Sequence, residues 1–371
     1  CHTPADIFFQ FLDTDIVDNI VFQTNLYINQ KDRRVRPITR EEFYGFVGIN
    51  MVMSYHKLPS WTDYWSNDPD LSVPFVSILM TRDRFGQILS NLHVNDNTAV
   101  PDGNQDKLYK LRPLILAMNS NFAKLYSVSK RQSIDESMIL FKVRHSIKQY
   151  NPMKPIKRGY KLWVRADMDG YITKFDVYQG KAGDATTMED LDGNTFGLGE
   201  QVVQTMTQDL VNKNHEVYFD NFFTSIPLME YLKENGIRAA GTVRLNRKAL
   251  PVGMEEVLDR GECDYRVSKD GITMFKWQDN KPVSVVSNFH GTDISSVKRT
   301  QKDGSKQEFT CPMAIVDYNK YMGGVDKADM LCAVQGLGRK SKKWWHRIFF
   351  GIIDRTVVNA QIIYSKLEGK P

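Results

Sequence analysis

The 371-residue sequence has only four cysteines, Cys1, Cys263, Cys311 and Cys332, each standing alone, with no Cys-x-x-Cys pair and no histidine at zinc-finger spacing. That scarcity excludes a disulfide framework and a Cys/His zinc finger, and leaves reduced intracellular thiols as the expectation. No apolar run approaches the roughly 20 residues that a bilayer crossing requires, so the chain reads as soluble and globular, with no membrane partner. It opens Cys1-His2-Thr3-Pro4, with neither a charged-then-apolar leader nor an initiator methionine. We therefore expect a piece of a longer protein, with any targeting signal outside it. Internal repeats and low-complexity tracts are also missing.

What is present is enough apolar residue, 42%, to bury substantial cores, and by length two or three domains. The net charge of +5 is only mildly basic, but it is unevenly distributed. Lys142, Arg144, Lys148, Lys154, Lys157, Arg158, Lys161 and Arg165 crowd one stretch, and Arg339, Lys340, Lys342, Lys343 and Arg347 surround Trp344-Trp345 in another. Two short apolar segments each end in aspartate, Ser133-Ile134-Asp135-Glu136 and Val217-Tyr218-Phe219-Asp220-Asn221, and Asp326 and Asp329 follow in Gly323-Gly324-Val325-Asp326-Lys327-Ala328-Asp329. Carboxylates fixed at strand ends are what two-metal phosphoryl transfer needs, because two divalent cations about 4 Å apart must be held by convergent hard oxygens. Positive stretches flanking such acids point to a polyanionic substrate.

Each acid also has a plainer account. Asp-Asn favours a turn at Asp220, and Asp326 and Asp329, three apart, could simply complement a helix dipole. Asp135 is harder to explain that way, since strands disfavour aspartate and a lone buried carboxylate is costly. Glu136 alternates to the other face of the strand and is left out of the site. Trp344 and Trp345 read as core anchors, while Tyr150 and Tyr160 stay open.

Residues 1 to 131 read as mostly helical: a capping box at Thr39-Arg40-Glu41-Glu42, a helix after Thr81, and another from about Leu108 to Tyr126, with a loop at 95–103. Strands are expected at 132–141, 161–166 and 171–178, the last two joined by the turn Asp167-Met168-Asp169-Gly170. A helix over about 199–211, a strand ending at Asp220 and a helix opened by Ser225-Ile226-Pro227 and closed by Gly236 follow. Short strands at 263–268, 272–277 and 282–287 form an insertion spanning about 242–288, and helices are expected over 314–335 and 343–366. The order is that of an α/β protein with a mixed sheet flanked by helices, and it fits a ribonuclease-H-like core.

Five segments in this order resemble a piggyBac-type transposase across nearly the whole chain: 133–136; Lys148-Gln149-Tyr150-Asn151-Pro152-Met153-Lys154-Pro155; Asp220-Asn221-Phe222-Phe223-Thr224-Ser225; 323–326; and 339–345. The resemblance implies a catalytic triad of Asp135, Asp220 and Asp326, supported by Asp329, holding two Mg2+ or Mn2+ ions. It implies metal-dependent cleavage of double-stranded DNA at transposon ends, hairpin formation and strand transfer into TTAA targets. It further implies a homodimer, a catalytic core over 132–329 with the β-rich insertion, and a discontinuous all-helical dimerisation and DNA-binding domain made of 1–131 and 330–371. Phosphate contacts are expected from Lys142, Arg144, Lys148, Lys154, Lys157, Arg158, Arg339, Lys340, Lys342 and Lys343. Nuclear localisation follows only from the substrate. Val143 stands where many members have glycine, and the family's cysteine-rich zinc-binding domain has no counterpart up to Pro371, so chemistry without end recognition is expected. The alternatives are a domesticated DNA-binding or regulatory protein without transposition, and a nuclease that cuts without joining.

Overall fold

In a computed structural model, residues 3–180, 196–254, 256–337 and 341–369 are described. The N-terminal region folds as six α-helices: α1 Pro4–Phe11, α2 Thr14–Gln30, α3 Arg40–Tyr55, α4 Pro74–Leu79, α5 Arg82–Asn91 and α6 Arg112–Lys124. Their starts follow local chemistry. Thr39 Oγ1 accepts the Glu42 N–H at 3.2 Å while Glu42 accepts the Thr39 N–H at 3.0 Å, the capping box expected for α3, and Thr81 caps α5.

A nine-stranded mixed sheet follows, made of β1 Arg131–Leu140, β2 Gln149–Tyr150, β3 Arg158–Asp167, β4 Ile172–Val177, β5 Glu216–Phe219, β6 Arg238–Thr242, β7 Cys263–Val267, β8 Thr273–Gln278 and β9 Pro282–Ser287. Its order is β2-β3-β1-β5-β6-β9-β8-β7, with β4 pairing the same edge of β3 as β2. β1 runs antiparallel to β3 but parallel to β5, and β5 is parallel to β6. The strands of the expected insertion extend the sheet: β9 pairs with β6 and carries it onward through β8 and β7. Helices α7 Leu198–Thr207 and α8 Ile226–Glu234 provide the parallel crossovers. A separate hairpin, β10 Ile294–Thr300 and β11 Lys306–Pro312, lies outside the expected strands; the exposure of β10 alternates along the strand, and Asp303-Gly304 is the turn signal the sequence offered. The single helix expected over 314–335 is two, α9 Met313–Tyr321 and α10 Gly324–Gln335, broken at Met322-Gly323, and α11 Trp344–Leu367 closes the chain. No helix among the described residues is long and apolar enough to cross a membrane.

Strand alternation divides the core between the two faces of the sheet. Ile134, Trp163, Val217 and Phe219 pack with α7 and α8. On the opposite face, Leu162, Val164 and Phe175 join one continuous core with Phe11 of α1, Phe46 of α3, Phe122 of α6 and Phe349 of α11, while Tyr218 packs with Ala314 and Ile315 of α9. Asn359 of α11 both donates to the Ile172 carbonyl and accepts from its N–H, each at 2.8 Å, and Asn119 of α6 does the same at Phe175. Two asparagines thus close the outer edge of β4, which would otherwise offer unpaired backbone.

Candidate functional site

The parallel register of β1 and β5 pairs Ser133 with Tyr218 and Ile134 with Phe219. One step further sets Asp220, in the turn leaving β5, beside Asp135, on the face that α9 and α10 cover. The Asp220 carboxylate is oriented by the Phe222 N–H at 2.8 Å, the side-chain turn that Asp-Asn favours. The turn and the functional reading of Asp220 therefore coexist.

The third acid arrives by close approach of α10. A Cβ on Gly324 would lie 2.3 Å from the Asp167 carbonyl oxygen and 2.8 Å from Ser133 Oγ, so only glycine lets the helix start settle on β1 and β3. Ser133 Oγ then accepts the Val325 N–H at 3.2 Å. Two residues along the same strand face, Asp135 meets Asp326 through a shared cation: Lys154 Nζ lies 2.6 Å from Asp135 Oδ2 and 3.2 Å from Asp326 Oδ1. Two further on, Ser137 donates to Asp329 at 2.5 Å and accepts from Arg355 of α11, whose guanidinium lies 3.9 Å from Asp329. Ser133, Asp135 and Ser137 thus form a polar row that matches the first two turns of α10.

Burial pushes the Asp135 carboxyl up to about 6 against the pull of Lys154, and the charge of Asp220 adds to the rise. Burial also raises Asp220, with Glu136 adding, and raises Asp329 against Arg355 and Ser137. Burial alone would lower the Lys154 ammonium, but its two carboxylates outweigh that and hold it above its usual value. One ammonium serves both Asp135 and Asp326, with Arg355 on the Asp329 side, so the four carboxylates outnumber the cations beside them. Among the described residues no three or more His, Cys, Asp or Glu side chains sit close enough to form a metal cage. The donors are nonetheless hard carboxylate oxygens of the kind Mg2+ and Mn2+ take, with a cation already seated between two of them.

The cations expected on phosphate divide into groups. Lys154 is a member of the acidic site and not a free surface charge. Lys142, Arg144, Lys157 and Arg158 are exposed, Arg158 lying over the exposed Tyr150 ring at 5.4 Å, and Lys148 reaches the Lys142 carbonyl. Lys342 is exposed, and Lys343 donates to the Ser90 carbonyl at 2.8 Å. Arg339, Lys340 and Cys1 lie outside the described residues. Two members of the basic stretch are structural: Arg165 is buried in a bidentate pair with Asp209 at 2.7 to 2.8 Å, and Lys161 pairs with Glu136 above the Trp163 ring. Glu136, on the far face as expected, also bonds Asn151. Tyr160 and Trp345 are core. Sequence reading missed Ser133, Ser137 and Arg355; the polar alternation within an otherwise apolar strand was the available signal for the two serines, and nothing local marks Arg355.

A sequence model described as Transposase IS4 matches residues 3–361. The chain is 34% identical over its whole length to the human PiggyBac transposable element-derived protein 3, covering 62% of that protein, and 30% identical over 96% of its length to the human PiggyBac transposable element-derived protein 2, covering 61%. It therefore spans about three fifths of the length of these relatives. Its fold superposes on a piggyBac transposase synaptic complex with hairpin DNA, solved by cryo-electron microscopy, with a TM-score of 0.83 and 25% identity, covering all of this chain and 77% of that one.

Proposed function

Because the chain belongs to the PiggyBac transposable element-derived protein family of IS4-type DDE transposases, we propose that it is a DNA transposase domain that cleaves duplex DNA, forms a hairpin and joins the freed 3′ end to TTAA targets. What supports this reading is that Asp135 and Asp326, from separate segments, share Lys154 on one face of the sheet, while Asp220 follows the end of β5 one register step from Asp135. The order β4-β3-β1-β5-β6, antiparallel and then parallel, supports a ribonuclease-H-like core.

In this reading Asp135, Asp220 and Asp326 hold two Mg2+ or Mn2+ ions, which when bound would activate the attacking oxygen and stabilise the leaving one. The protein's own part is orientation. Ser133 and Gly324 fix the start of α10, the Phe222 N–H aims Asp220, and Ser137 with Arg355 holds Asp329 as support for its neighbour Asp326. Leu140 lies five residues beyond Asp135, about 17 Å at the strand rise. The exposed Lys142, Arg144, Lys157 and Arg158 therefore follow DNA away from the reacting phosphate, where Coulomb attraction positions the duplex. The N-terminal helices and α11 share a core, which supports a discontinuous helical domain of 1–131 and 330–371 for dimerisation and DNA binding around 132–329. A homodimer in the nucleus completes the reading.

A second reading, a domesticated DNA-binding regulator, is favoured by the names of the human relatives, which are transposable element-derived proteins. One experiment separates them: calorimetric Mn2+ titration with short duplex DNA present, together with a nicking assay, on the protein and on Asp135→Asn, Asp220→Asn and Asp326→Asn. The transposase reading expects metal binding and nicking that each variant loses while DNA affinity stays nearly intact. DNA binding with no metal uptake leaves the regulator, and undiminished cleavage by Asp220→Asn removes that residue from the mechanism.

A further inference from the structure

The C-terminal end of α5 gathers three cations from three distant segments. Arg33, just after α2, donates to Asn91 Oδ1 at 2.7 Å; Lys343, just before α11, donates to the Ser90 carbonyl at 2.8 Å; and Lys110, before α6, places Nζ 3.1 Å from His93 Nε2. His93 is buried, and its Nδ1 faces the Asn91 carbonyl at 2.9 Å. A carbonyl cannot donate, so Nδ1 carries the proton and Nε2 is the acceptor that seats Lys110. The same imidazole stacks on Tyr27 with ring centroids 3.6 Å apart, Arg33 lies over that tyrosine ring at 5.3 Å, and Lys110 lies over Trp345 at 5.0 Å.

Every anchor here is neutral. Among the described residues none of the three cations forms an ion pair with a carboxylate, and their mutual repulsion is felt: burial pushes Lys110 down to about 8 with Lys343 adding, and Lys343 is lowered by burial and by Arg33. The carbonyls ending α5 offer roughly half a unit of negative charge, too little for three cations. Each ammonium uses one of its three donors and the guanidinium one of five on these anchors, so several N–H groups remain for an oxyanion.

We propose that Arg33, Lys110 and Lys343, arranged around His93, form a seat for one backbone phosphate of duplex DNA, away from the carboxylate site. The proposal rests on the DNA-processing reading above for its ligand, while the seat itself rests on the cluster. His93 contributes by fixing Lys110 through its bare nitrogen and by stacking on the tyrosine beneath Arg33.

The test compares the protein with Arg33→Gln/Lys110→Gln and with the charge-keeping Lys110→Arg. Duplex binding is measured across a salt series, and melting temperature is measured in sodium sulfate against sodium chloride at equal ionic strength. Loss of one phosphate contact flattens the log K against log salt slope by about 0.9. The double variant is expected to show that flattening, to fold with an undiminished melting temperature in chloride, and to lose the extra stabilisation by sulfate; Lys110→Arg is expected to keep both. An unchanged slope together with undiminished sulfate stabilisation in the double variant, with wild-type DNA binding intact, overturns the seat and leaves the transposase reading standing. Sulfate stabilisation lost without any change in slope assigns an inorganic anion only and overturns the DNA assignment. No duplex binding by the unmodified protein overturns both readings.

Discussion

Gly324→Ala tests whether the close approach of α10 builds the carboxylate site. The new Cβ would stand 2.3 Å from the Asp167 carbonyl oxygen, where an ordinary C···O contact is about 3.3 Å, so something must move by about 1 Å. The carbonyl is poorly placed to yield, because it accepts the Gly170 N–H while the Asp167 carboxylate accepts the N–H groups of Asp169 and Tyr171. The start of α10 therefore moves, taking the Val325–Ser133 hydrogen bond and Asp326 with it. Overpacking of this kind costs ~1–3 kcal/mol, offset by ~1 kcal/mol of helix propensity gained over glycine. A 1 Å misplacement of a reacting group costs on the order of 100-fold in rate. The neighbouring Gly323→Ala is the internal control, since its Cβ would meet nothing within 4 Å. Single-turnover nicking in Mn2+ should drop about 100-fold for Gly324→Ala and stay near wild type for Gly323→Ala, with a small loss of melting temperature in the first alone. Equal rates in the two variants would refute the argument that this contact positions Asp326.

Two other predictions concern charge. Lys154→Met removes the ammonium that competes for Asp135 and Asp326; a charged hydrogen bond is worth ~1.5–3 kcal/mol net, so calorimetric Mn2+ affinity should tighten roughly 10- to 100-fold while the metal-free protein melts lower, and unchanged affinity would place Lys154 outside the cation's position. Glu42 is held at about 2, first by its hydrogen bond to Arg84, a depression that corresponds to on the order of 2–3 kcal/mol. That stabilisation is present above pH 4.5 and lost as pH falls towards 2, so Glu42→Gln should be less stable to urea at pH 6 and match wild type near pH 2; a gap persisting at pH 2 would assign the loss to packing.

Local signals were the legible ones. The capping box at Thr39 and Glu42, the Ser225 cap, the turn at Gly170 and the strand end before Asp220 are written in a few adjacent residues, and the structure follows them, whereas Asp135, expected at a strand end, lies in the middle of β1, which runs on to Leu140. What escaped depends on partners distant in sequence. Lys154 belongs to a surface-like run of lysines and proline, and nothing local tells that its ammonium enters an acidic site; Arg165 reads as one more cation until Asp209 is brought beside it. The split between α9 and α10 was hidden because a Gly-Gly pair lowers helix propensity without saying which carbonyl the backbone must approach. The β7–β9 strands were recognisable as strands, but the pairing of β9 with β6, which joins them to the sheet, is a matter of sheet register, which composition does not encode.

The shared core of first and last helices constrains how the chain can be made. Phe8 and Phe11 pack in the same cluster as Phe349 and Phe350, so the N-terminal helices lack their final apolar partner until α11 has been synthesised. At usual elongation rates the intervening stretch of about 210 residues takes on the order of 10–40 s. During that interval the emerging N-terminal region exposes aromatic surface, and its productive folding waits for α11. Chaperone demand should therefore concentrate on the nascent chain, and a ribosome stalled before residue 344 would hold a protease-sensitive N-terminal region although all six of its helices had already been translated.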